Sequence, residues 1–591
     1  MQDQSLAASR KYVYKPLESP SNIRVLAVEP GSYGSDIHCS LREVQPGDGT
    51  IYTTISYVWG EPKFPCRVSC TSLDNVSGIL CMTESLYAAL QTIRQVDQPI
   101  TVWADAICIN QDDLDERSQQ VLLMRKLYLE CLRLFAWLGE DGDLYDAAFD
   151  YISYALEKFE YPPGPVLGDP HAVRSLIEDL YSKLTDEVLS SLNMFFGNSW
   201  FRRAWTFQEV LCASEATVFA GDRNIPYEDV ANFVRLFVDF GIGIRLSDMS
   251  SHLAMGQVIV ITQFRNRPTT LLQLAAMTRS RQATDLRDKL YSLIAIASDS
   301  ALLPYPPDYR IAVGKVYQDF TVAWMAEYEA LNVLSLCVYS ADALGTPSWV
   351  PNLARSKDIP SMFEIVEDPF NACGPYDESK RLIVRNNTLS APGLLLEKIA
   401  TSASRSLEVT VRIRDLHKVL AEGAMDQLHV LREALQIISM PCWKAPEPIR
   451  KQALWRTLLG GNWTDSCRLR QHHENDFNSF WEFMQQFDPE SESDSTRDDY
   501  DLIRVTNVET KVIDIARERR FCMSESGCMG WIPKAEKEGD IISVLYGCFA
   551  PVFLRPKGNA FEVIGTCYIH GIMDGEAVAA AQDPMQQIDL V

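Results

Sequence analysis

The first 230 residues alternate between short apolar runs and longer amphipathic runs, and this order restricts the fold more than any other feature of the chain. Runs rich in β-branched and aromatic residues predict four strands, at IYTTISYV (51–58), ITVWADAICIN (100–110), RLFAWLG (133–139) and ATVFAG (216–221). Between them the pattern predicts two helices. One is capped by Thr83, and the other begins at Asp113, with Glu116 three residues later as in a capping box. Strands that alternate with helices favour a mostly parallel sheet covered on both faces. We therefore predict an α/β fold for this part of the chain.

A ligand crevice is expected at the carboxyl ends of the predicted strands, as in other open α/β sheets. Trp59 and Gly60 follow the first strand, Asp105 follows the second, and the loop at 139–141 follows the third. Tyr57 and Trp59 could stack on an aromatic base, or they could close the end of the sheet. Asp105 could orient a sugar hydroxyl, although capping of the neighbouring helix is the preferred interpretation.

The segment SWFRRAWTFQEV, residues 199–210, places Trp205 and Glu209 four residues apart, just after Arg202 and Arg203. On a helix this spacing puts the indole and the carboxyl on one face. Such a face could hold an acid against an apolar wall, with two cations near an anionic ligand. The alternative is an ordinary amphipathic helix whose tryptophan fills the core and whose glutamate is solvated.

Composition excludes several classes of function. The formal net charge of −24 argues against a nucleic-acid partner, because neutralising phosphates requires a basic surface. The N-terminus has no apolar signal segment, and no apolar run approaches the length of a membrane span. Fifteen scattered cysteines are typical of free thiols in a reducing compartment, and the CRVSC segment at 66–70 has no second pair for a metal. We expect a cytoplasmic protein without a membrane partner, a metal or a resident cofactor.

Three long motifs resemble the heterokaryon incompatibility (HET) domain of filamentous fungi, in the order in which they occur there. They read TISYVWGEP, WADAICINQDDLDERSQQVLLMRKLYLECLRLFAWLGED and SWFRRAWTFQEVLCA. Later segments, among them GTPSWVPNLA and GDIISVLYGCFAPVFLRP, also look like the remainder of large HET proteins. The resemblance therefore covers almost the whole chain.

HET domains are similar to Toll/interleukin-1 receptor (TIR) domains, and this similarity implies a chemistry. TIR domains that cleave NAD carry their catalytic glutamate four residues after a tryptophan, which corresponds to Trp205 and Glu209; Thr206 stands where many of them have cysteine. The resemblance implies Glu209 as the catalytic residue and NAD as a substrate rather than a bound cofactor. The ligand-binding residues expected around it are Tyr57, Trp59, Gly60, Asp105, Arg202, Arg203 and Trp205. It also implies a small-molecule ligand in the crevice and a homo-oligomer.

The resemblance and the composition together divide the chain into five regions. They are an N-terminal arm (1–50), the HET domain (51–230), a helical extension packed on it (231–355), a mixed α/β region with an acidic loop near 488–501 (356–510), and a β-rich, barrel-like region (511–591). Arg279, Arg281 and Arg287 with nearby aspartates predict an ion network in the extension.

Three functions remain open from the sequence. One is a cell-death effector of fungal self/non-self recognition that cleaves NAD at the nicotinamide–ribose bond through Glu209. The second is a HET scaffold that acts as a small-molecule enzyme of secondary metabolism in the same crevice. The third is a scaffold that only self-associates, in which Glu209 is dispensable.

Overall fold

The chain is described by a computed structural model. It describes residues 10–591 except 73–76, 159–169, 240–248, 266, 340–343, 356–369, 376–380, 404–436, 438–446, 465–466, 469–472, 487–507, 509–510, 513–514, 517 and 583. Two compact units are present. The first comprises residues 1–271, 281–300 and 305–310, and the second comprises residues 272–280, 301–304 and 311–591.

The first unit contains a nine-stranded sheet, with the order β5-β4-β2-β1-β6-β3-β7-β8-β9. The strands are β1 (Ile23–Val28), β2 (His38–Val44), β3 (Thr53–Tyr57), β4 (Cys66–Ser72), β5 (Ser77–Met82), β6 (Ile100–Trp103), β7 (Arg133–Trp137), β8 (Ala216–Ala220) and β9 (Arg223–Pro226). The four strands predicted from the sequence, β3, β6, β7 and β8, are adjacent and parallel.

The prediction of a mostly parallel sheet is wrong for the sheet as a whole, which is mixed. β1 pairs antiparallel with both β2 and β6, and β4–β5 and β8–β9 are antiparallel as well. The antiparallel strands extend the parallel centre on both sides. β1 and β2 lie within residues 1–50, the predicted N-terminal arm.

The helices of the first unit are α1 (Glu84–Ile93), α2 (Asp105–Cys108), α3 (Leu114–Glu130), α4 (Asp146–Glu157), α5 (Pro170–Lys183), α6 (Asp186–Gly197), α7 (Ala204–Cys212), α8 (Tyr227–Asp239), α9 (Met249–Phe264) and α11 (Asp288–Ile294). α10 (Leu271–Met277) lies between α9 and α11 in sequence and belongs, from Leu272 onward, to the second unit. Thr83 caps α1 by accepting a hydrogen bond from Leu86 N, and Asp113 caps α3 by accepting from Asp115 N and Glu116 N. Both predicted helix starts are confirmed.

Two loops at the carboxyl ends of β7 and β8 are pressed against each other. Gly221 N donates a hydrogen bond of 2.8 Å to Gly139 O. A Cβ atom added to Gly142 would lie 2.6 Å from Ala220 O, which is closer than such atoms come in proteins. Gly221 also has a positive φ of 55°. Backbone therefore fills the edge of the sheet beyond these two strands.

The second unit contains a ring of strands. Its elements are α12 (Val313–Tyr328), β10 (Ile383–Arg385), β11 (Thr388–Ser402), α13 (Glu447–Leu458), β12 (Asn462–Thr464), β13 (Cys467–Arg468), α14 (His473–Gln486), β14 (Arg519–Ser524), β15 (Met529–Pro533), β16 (Ile541–Leu545), β17 (Val552–Lys557), β18 (Ala560–Thr566), β19 (Tyr568–Ile569), α15 (Glu576–Ala580) and β20 (Gln586–Leu590). The order β16-β17-β18-β20-β11 closes because β11 also pairs with β16.

The predicted β-rich C-terminal region is confirmed as a set of mainly antiparallel strands, but its ring needs β11 from far upstream. β14 and β15 extend from β11 over a core that includes Trp455 and Trp531. The predicted acidic loop near 488–501 lies outside the described residues. Every helix in the described part of the chain is too short or too polar to cross a bilayer.

Candidate functional site

Glu209 is a residue of α7, and its carboxyl group lies at the end of β3. The Ser56 hydroxyl donates a short hydrogen bond to Glu209 Oε2 and accepts one of 2.7 Å from Trp200 Nε1. Trp200 belongs to the short 3₁₀ turn Ser199–Arg202 that precedes α7. The three side chains thus form a buried chain from indole to hydroxyl to carboxyl, which fixes the direction of the carboxyl group.

Burial controls the protonation of Glu209. Only 4% of this residue is exposed. Burial raises the pKa of Glu209 to about 7, against opposing effects of the Arg203 charge and the Ser56 hydrogen bond. The neighbouring charge of Asp105 raises the pKa further, and Arg281 lowers it. A carboxyl group with this pKa can hold or release a proton near neutral pH.

Asp105 is the second acid of the site and lies at the end of β6. Its two carboxyl oxygens accept hydrogen bonds of 3.1 and 3.0 Å from Trp59 Nε1, and one of them accepts from Ala106 N at 2.8 Å. Burial raises the pKa of Asp105, while Arg203 and Trp59 lower it. Asp105 is the first residue of α2, whose N-cap is Ala104 without a side-chain hydrogen bond, so the capping interpretation is wrong. The Asp105 carboxyl group instead fixes a half-buried tryptophan.

Tyr57 and Gly60 complete the strand end. Burial, together with the charge of Asp105, raises the pKa of the Tyr57 hydroxyl well above its ordinary value. Tyr57 is 1% exposed, so its ring closes the end of the sheet, whereas Trp59 and Gly60 reach the surface. Gly60 has a φ of 71°, which lets the chain turn away directly after Trp59.

Arg203 connects the two acids. Its guanidinium donates a hydrogen bond to Tyr57 O at the end of β3, and its charge lowers the pKa of both Glu209 and Asp105. Arg202 contributes its backbone, because its carbonyl accepts a hydrogen bond of 2.5 Å from Gln282 N. The predicted pair of cations is therefore divided: the side chain of Arg203 enters the site, and the backbone of Arg202 fixes the turn before α7.

Trp205 lies in a different cluster from the one predicted. Its indole is a hydrogen-bond partner of Asp288, which also accepts a hydrogen bond of 2.7 Å from the Tyr309 hydroxyl. Burial raises the pKa of Asp288 to about 6. The Tyr309 ring has the Arg117 guanidinium at 3.6 Å and that of Arg287 at 5.5 Å from its centroid. The tryptophan that is linked to Glu209 is Trp200.

A segment about 70 residues later in the chain fixes α7 from outside. Gln282 forms a short β-bridge with Arg203, and Arg281 donates hydrogen bonds of 2.9 Å to Arg203 O and to Thr206 Oγ1. Arg281 also contacts the Phe207 ring, and burial lowers its pKa to about 10. The predicted ion network is thus in part a set of hydrogen bonds to the backbone of the site.

A buried ion pair supports the Asp105 segment from behind. Arg24 of β1 contacts Glu116 of α3 through two hydrogen bonds, of 2.5 and 3.0 Å. Glu116 also accepts a hydrogen bond of 2.7 Å from Asn110 N, and Arg24 donates one of 3.3 Å to Cys108 O. Glu116 therefore does not close a capping box on Asp113, and holds the chain after α2 instead.

Ser56, Trp200 and Arg281 were not identified as site residues from the sequence. A signal for Ser56 was present, since it lies in the first predicted strand, four residues before Gly60. Within the described residues, no group of three or more histidine, cysteine, aspartate or glutamate side chains is placed to hold a metal ion.

Comparison with protein families identifies two regions. Residues 52–209 match the family described as heterokaryon incompatibility protein (HET), and residues 470–585 match the Het-6 β-barrel domain. The chain is therefore similar to HET proteins in both its first and its second unit. The matched HET residues begin at β3 and end at Glu209, so the hydrogen bond between Ser56 and Glu209 joins the two ends of the match.

The HET resemblance extends over the full chain in one relative. The Neurospora crassa protein named heterokaryon incompatibility protein 6, OR allele, is 24% identical over 96% of this chain and 96% of its own length. No solved structure matches. The Het-6 barrel match excludes β11 and β20, which lie on either side of the matched residues and complete the ring.

Proposed function

We propose that this chain is an effector of heterokaryon incompatibility type, and that its HET domain cleaves NAD at the nicotinamide–ribose bond through Glu209. The name of the Neurospora relative supports the biological role. The chemical role depends on one observation. Glu209, a buried carboxyl group with a pKa of about 7, is held at the end of a parallel strand beside Asp105 and Arg203. The proposed likeness to TIR domains rests on the parallel strands β6, β3, β7 and β8.

The proposed reaction needs few groups. The bond between nicotinamide nitrogen and ribose carbon breaks, its electron pair stays on the nicotinamide, and an oxocarbenium-like sugar remains. The ionised Glu209 carboxylate stabilises this positive charge. Water then adds to the sugar carbon and loses a proton, which gives ADP-ribose. Trp59 and Asp105, the partly exposed members of the cluster, are expected to contact the ligand.

The first test measures nicotinamide release by the purified full-length chain over a series of protein concentrations. Glu209→Gln keeps an acceptor for the Ser56 hydroxyl and removes the charge. We expect it to lower the rate on the order of 100-fold to 1,000-fold. The matched control is Glu215→Gln, which changes an exposed glutamate just after α7. Absence of release by the wild-type chain at every concentration, including those that favour oligomers, would contradict NAD cleavage.

The biological part of the proposal has its own test. Induced expression of the wild-type chain in a fungal host should reduce viability, whereas expression of Glu209→Gln should not. Equal toxicity of both proteins would show that the effect does not need Glu209, as expected of a scaffold. Normal growth with both, at matched protein levels, would contradict the effector role.

A further inference from the structure

Two cysteines of the first unit lie directly opposite each other on neighbouring strands. Cys39 of β2 and Cys70 of β4 are register partners in a parallel pair. Register partners point to the same face of a sheet, and neighbouring strands lie about 4.8 Å apart. A disulfide needs a Cα–Cα separation of about 4.4 to 6.8 Å. The backbone therefore already has the spacing that a bond between these two cysteines requires.

The two thiols also contact each other. They interact through a side-chain hydrogen bond, and Cys39 and Cys70 are 3% and 0% exposed. This hydrogen bond raises the pKa of Cys39 and lowers the pKa of Cys70. Among the described thiols with a shifted pKa, Cys70 is the one that shifts downward. Burial raises the pKa of others, such as Cys108 and Cys212. Cys70 is thus the better nucleophile of the pair.

We propose that Cys39 and Cys70 are a peroxide-sensitive thiol pair that closes to a disulfide between β2 and β4. The Cys70 thiol loses its proton, and the thiolate attacks one oxygen of hydrogen peroxide. The O–O bond breaks to give a sulfenic acid and hydroxide, and the hydroxide takes up the proton released by Cys70 to form water. The Cys39 sulfur then attacks the Cys70 sulfur, the S–O bond breaks, and the released hydroxide takes the Cys39 proton to form a second water. Two electrons pass from the sulfur atoms to the peroxide.

Access to the pair is controlled by the residues that precede β1. Tyr12 N donates a hydrogen bond of 2.9 Å to Ile79 O, and Ile79 N donates one of 2.9 Å to Arg10 O. The charges of Cys39 and Cys70 act on the Tyr12 hydroxyl, which places that residue next to the thiols. The backbone pairing in this segment is an isolated bridge between Lys11 and Ile79. Local opening of so short a contact costs less than unfolding of the sheet, and it admits a molecule as small as peroxide.

Gly78 provides a way to test this access. A Cβ atom added there would lie 2.7 Å from Tyr12 Cα, so a side chain at this position must displace the segment. Gly78 is absent from the residues with positive φ, and its backbone accepts alanine. We expect Gly78→Ala to accelerate oxidation of the pair several-fold without changing the two cysteines.

The experiment treats the reduced full-length chain with hydrogen peroxide, blocks the remaining thiols, and maps disulfide-linked peptides by mass spectrometry. We expect a Cys39–Cys70 linked peptide from the wild-type chain, and no such peptide from Cys70→Ser. In Cys39→Ser, a sulfenic-acid reagent should label Cys70. Cys66→Ser, at the start of the same strand, should leave the linkage unchanged.

Several outcomes would overturn the proposal. One is absence of the linked peptide at a peroxide concentration that oxidises the exposed Cys81. Another is linkage of either cysteine to the nearby Cys108 instead. Oxidation at equal rates in wild-type and Gly78→Ala chains would contradict the role of the N-terminal segment. None of these readouts uses NAD, so the result is independent of the proposed catalytic function.

Discussion

Glu209 binds a proton more tightly in the folded chain than in the unfolded chain, because its pKa rises from 4.5 to about 7 on burial. Between these two pH values the unfolded state loses its proton while the folded state keeps it. Stability from this group is therefore complete below about pH 4.5 and is lost as the pH rises through 7. The shift corresponds to about 3 kcal/mol at most.

The first prediction concerns this pH dependence. Glu209→Gln carries no titrating group, so its stability relative to the wild-type chain should increase by about 2–3 kcal/mol between pH 5 and pH 8. Thermal unfolding of both proteins at the two pH values checks this. Glu215→Gln should follow the wild-type chain at both. A constant difference between Glu209→Gln and wild type would show that Glu209 has an ordinary pKa.

The second prediction concerns Ser56, which affects both the stability of the chain and the pKa of Glu209. Ser56→Ala leaves the Trp200 indole and the Glu209 carboxyl without their shared partner, which should cost about 1–3 kcal/mol of stability. It should also raise the pKa of Glu209, because the Ser56 hydrogen bond lowers it. The pH midpoint of nicotinamide release should then move upward. Ser40→Ala on β2 is the control, and an unchanged midpoint in Ser56→Ala would contradict this role.

Site residues could be predicted from the sequence only where the local sequence pattern around each residue reveals its position. The sequence points to Glu209, Asp105 and Arg203 through strand ends and the helix that follows. It misassigns the tryptophan, because α7 is buried around most of its surface and spacing cannot show which face meets β3. Trp200 and Ser56 are 144 residues apart in sequence, and their hydrogen bond exists only after folding.

Among the elements, α3 joins the N-terminal half of the sheet to the site. The buried Arg24–Glu116 pair holds the chain after α2, which carries Asp105. Removing one partner leaves the other charge buried. We therefore predict that Glu116→Ala costs about 3–5 kcal/mol, measured by chemical denaturation. Asp115→Ala, which removes an exposed pair with Arg310, should cost about 1 kcal/mol or less. Similar losses for both variants would contradict the assignment.

The parallel centre of the sheet could be predicted from the sequence, whereas its edges could not. β3, β6, β7 and β8 come from runs rich in β-branched and aromatic residues, which favour strands. The position of β1 depends on the pairing of Leu26 with Val102, and that pairing is not visible in either segment alone. In the second unit, β11 likewise joins strands more than 130 residues later.

At the scale of the whole molecule, the first unit is discontinuous in sequence. Residues 281–300 and 305–310 return to it and contact α7 and α3 through Arg281, Asp288 and Tyr309. We predict that a fragment of residues 1–310 folds cooperatively, whereas 1–271 does not, because it loses these contacts. Circular dichroism during thermal unfolding checks this. Equal unfolding temperatures would show that the returning segment is dispensable.

The two loops that meet beyond β7 and β8 restrict how this gene can vary. Every missense change at a glycine codon adds a side chain, and at Gly142 its first atom would lie 2.6 Å from Ala220 O. A Cβ atom added to Gly221 would likewise lie 2.9 Å from Glu140 O. Substitutions of Gly142 and Gly221 are therefore expected to destabilise the protein and to be removed by selection.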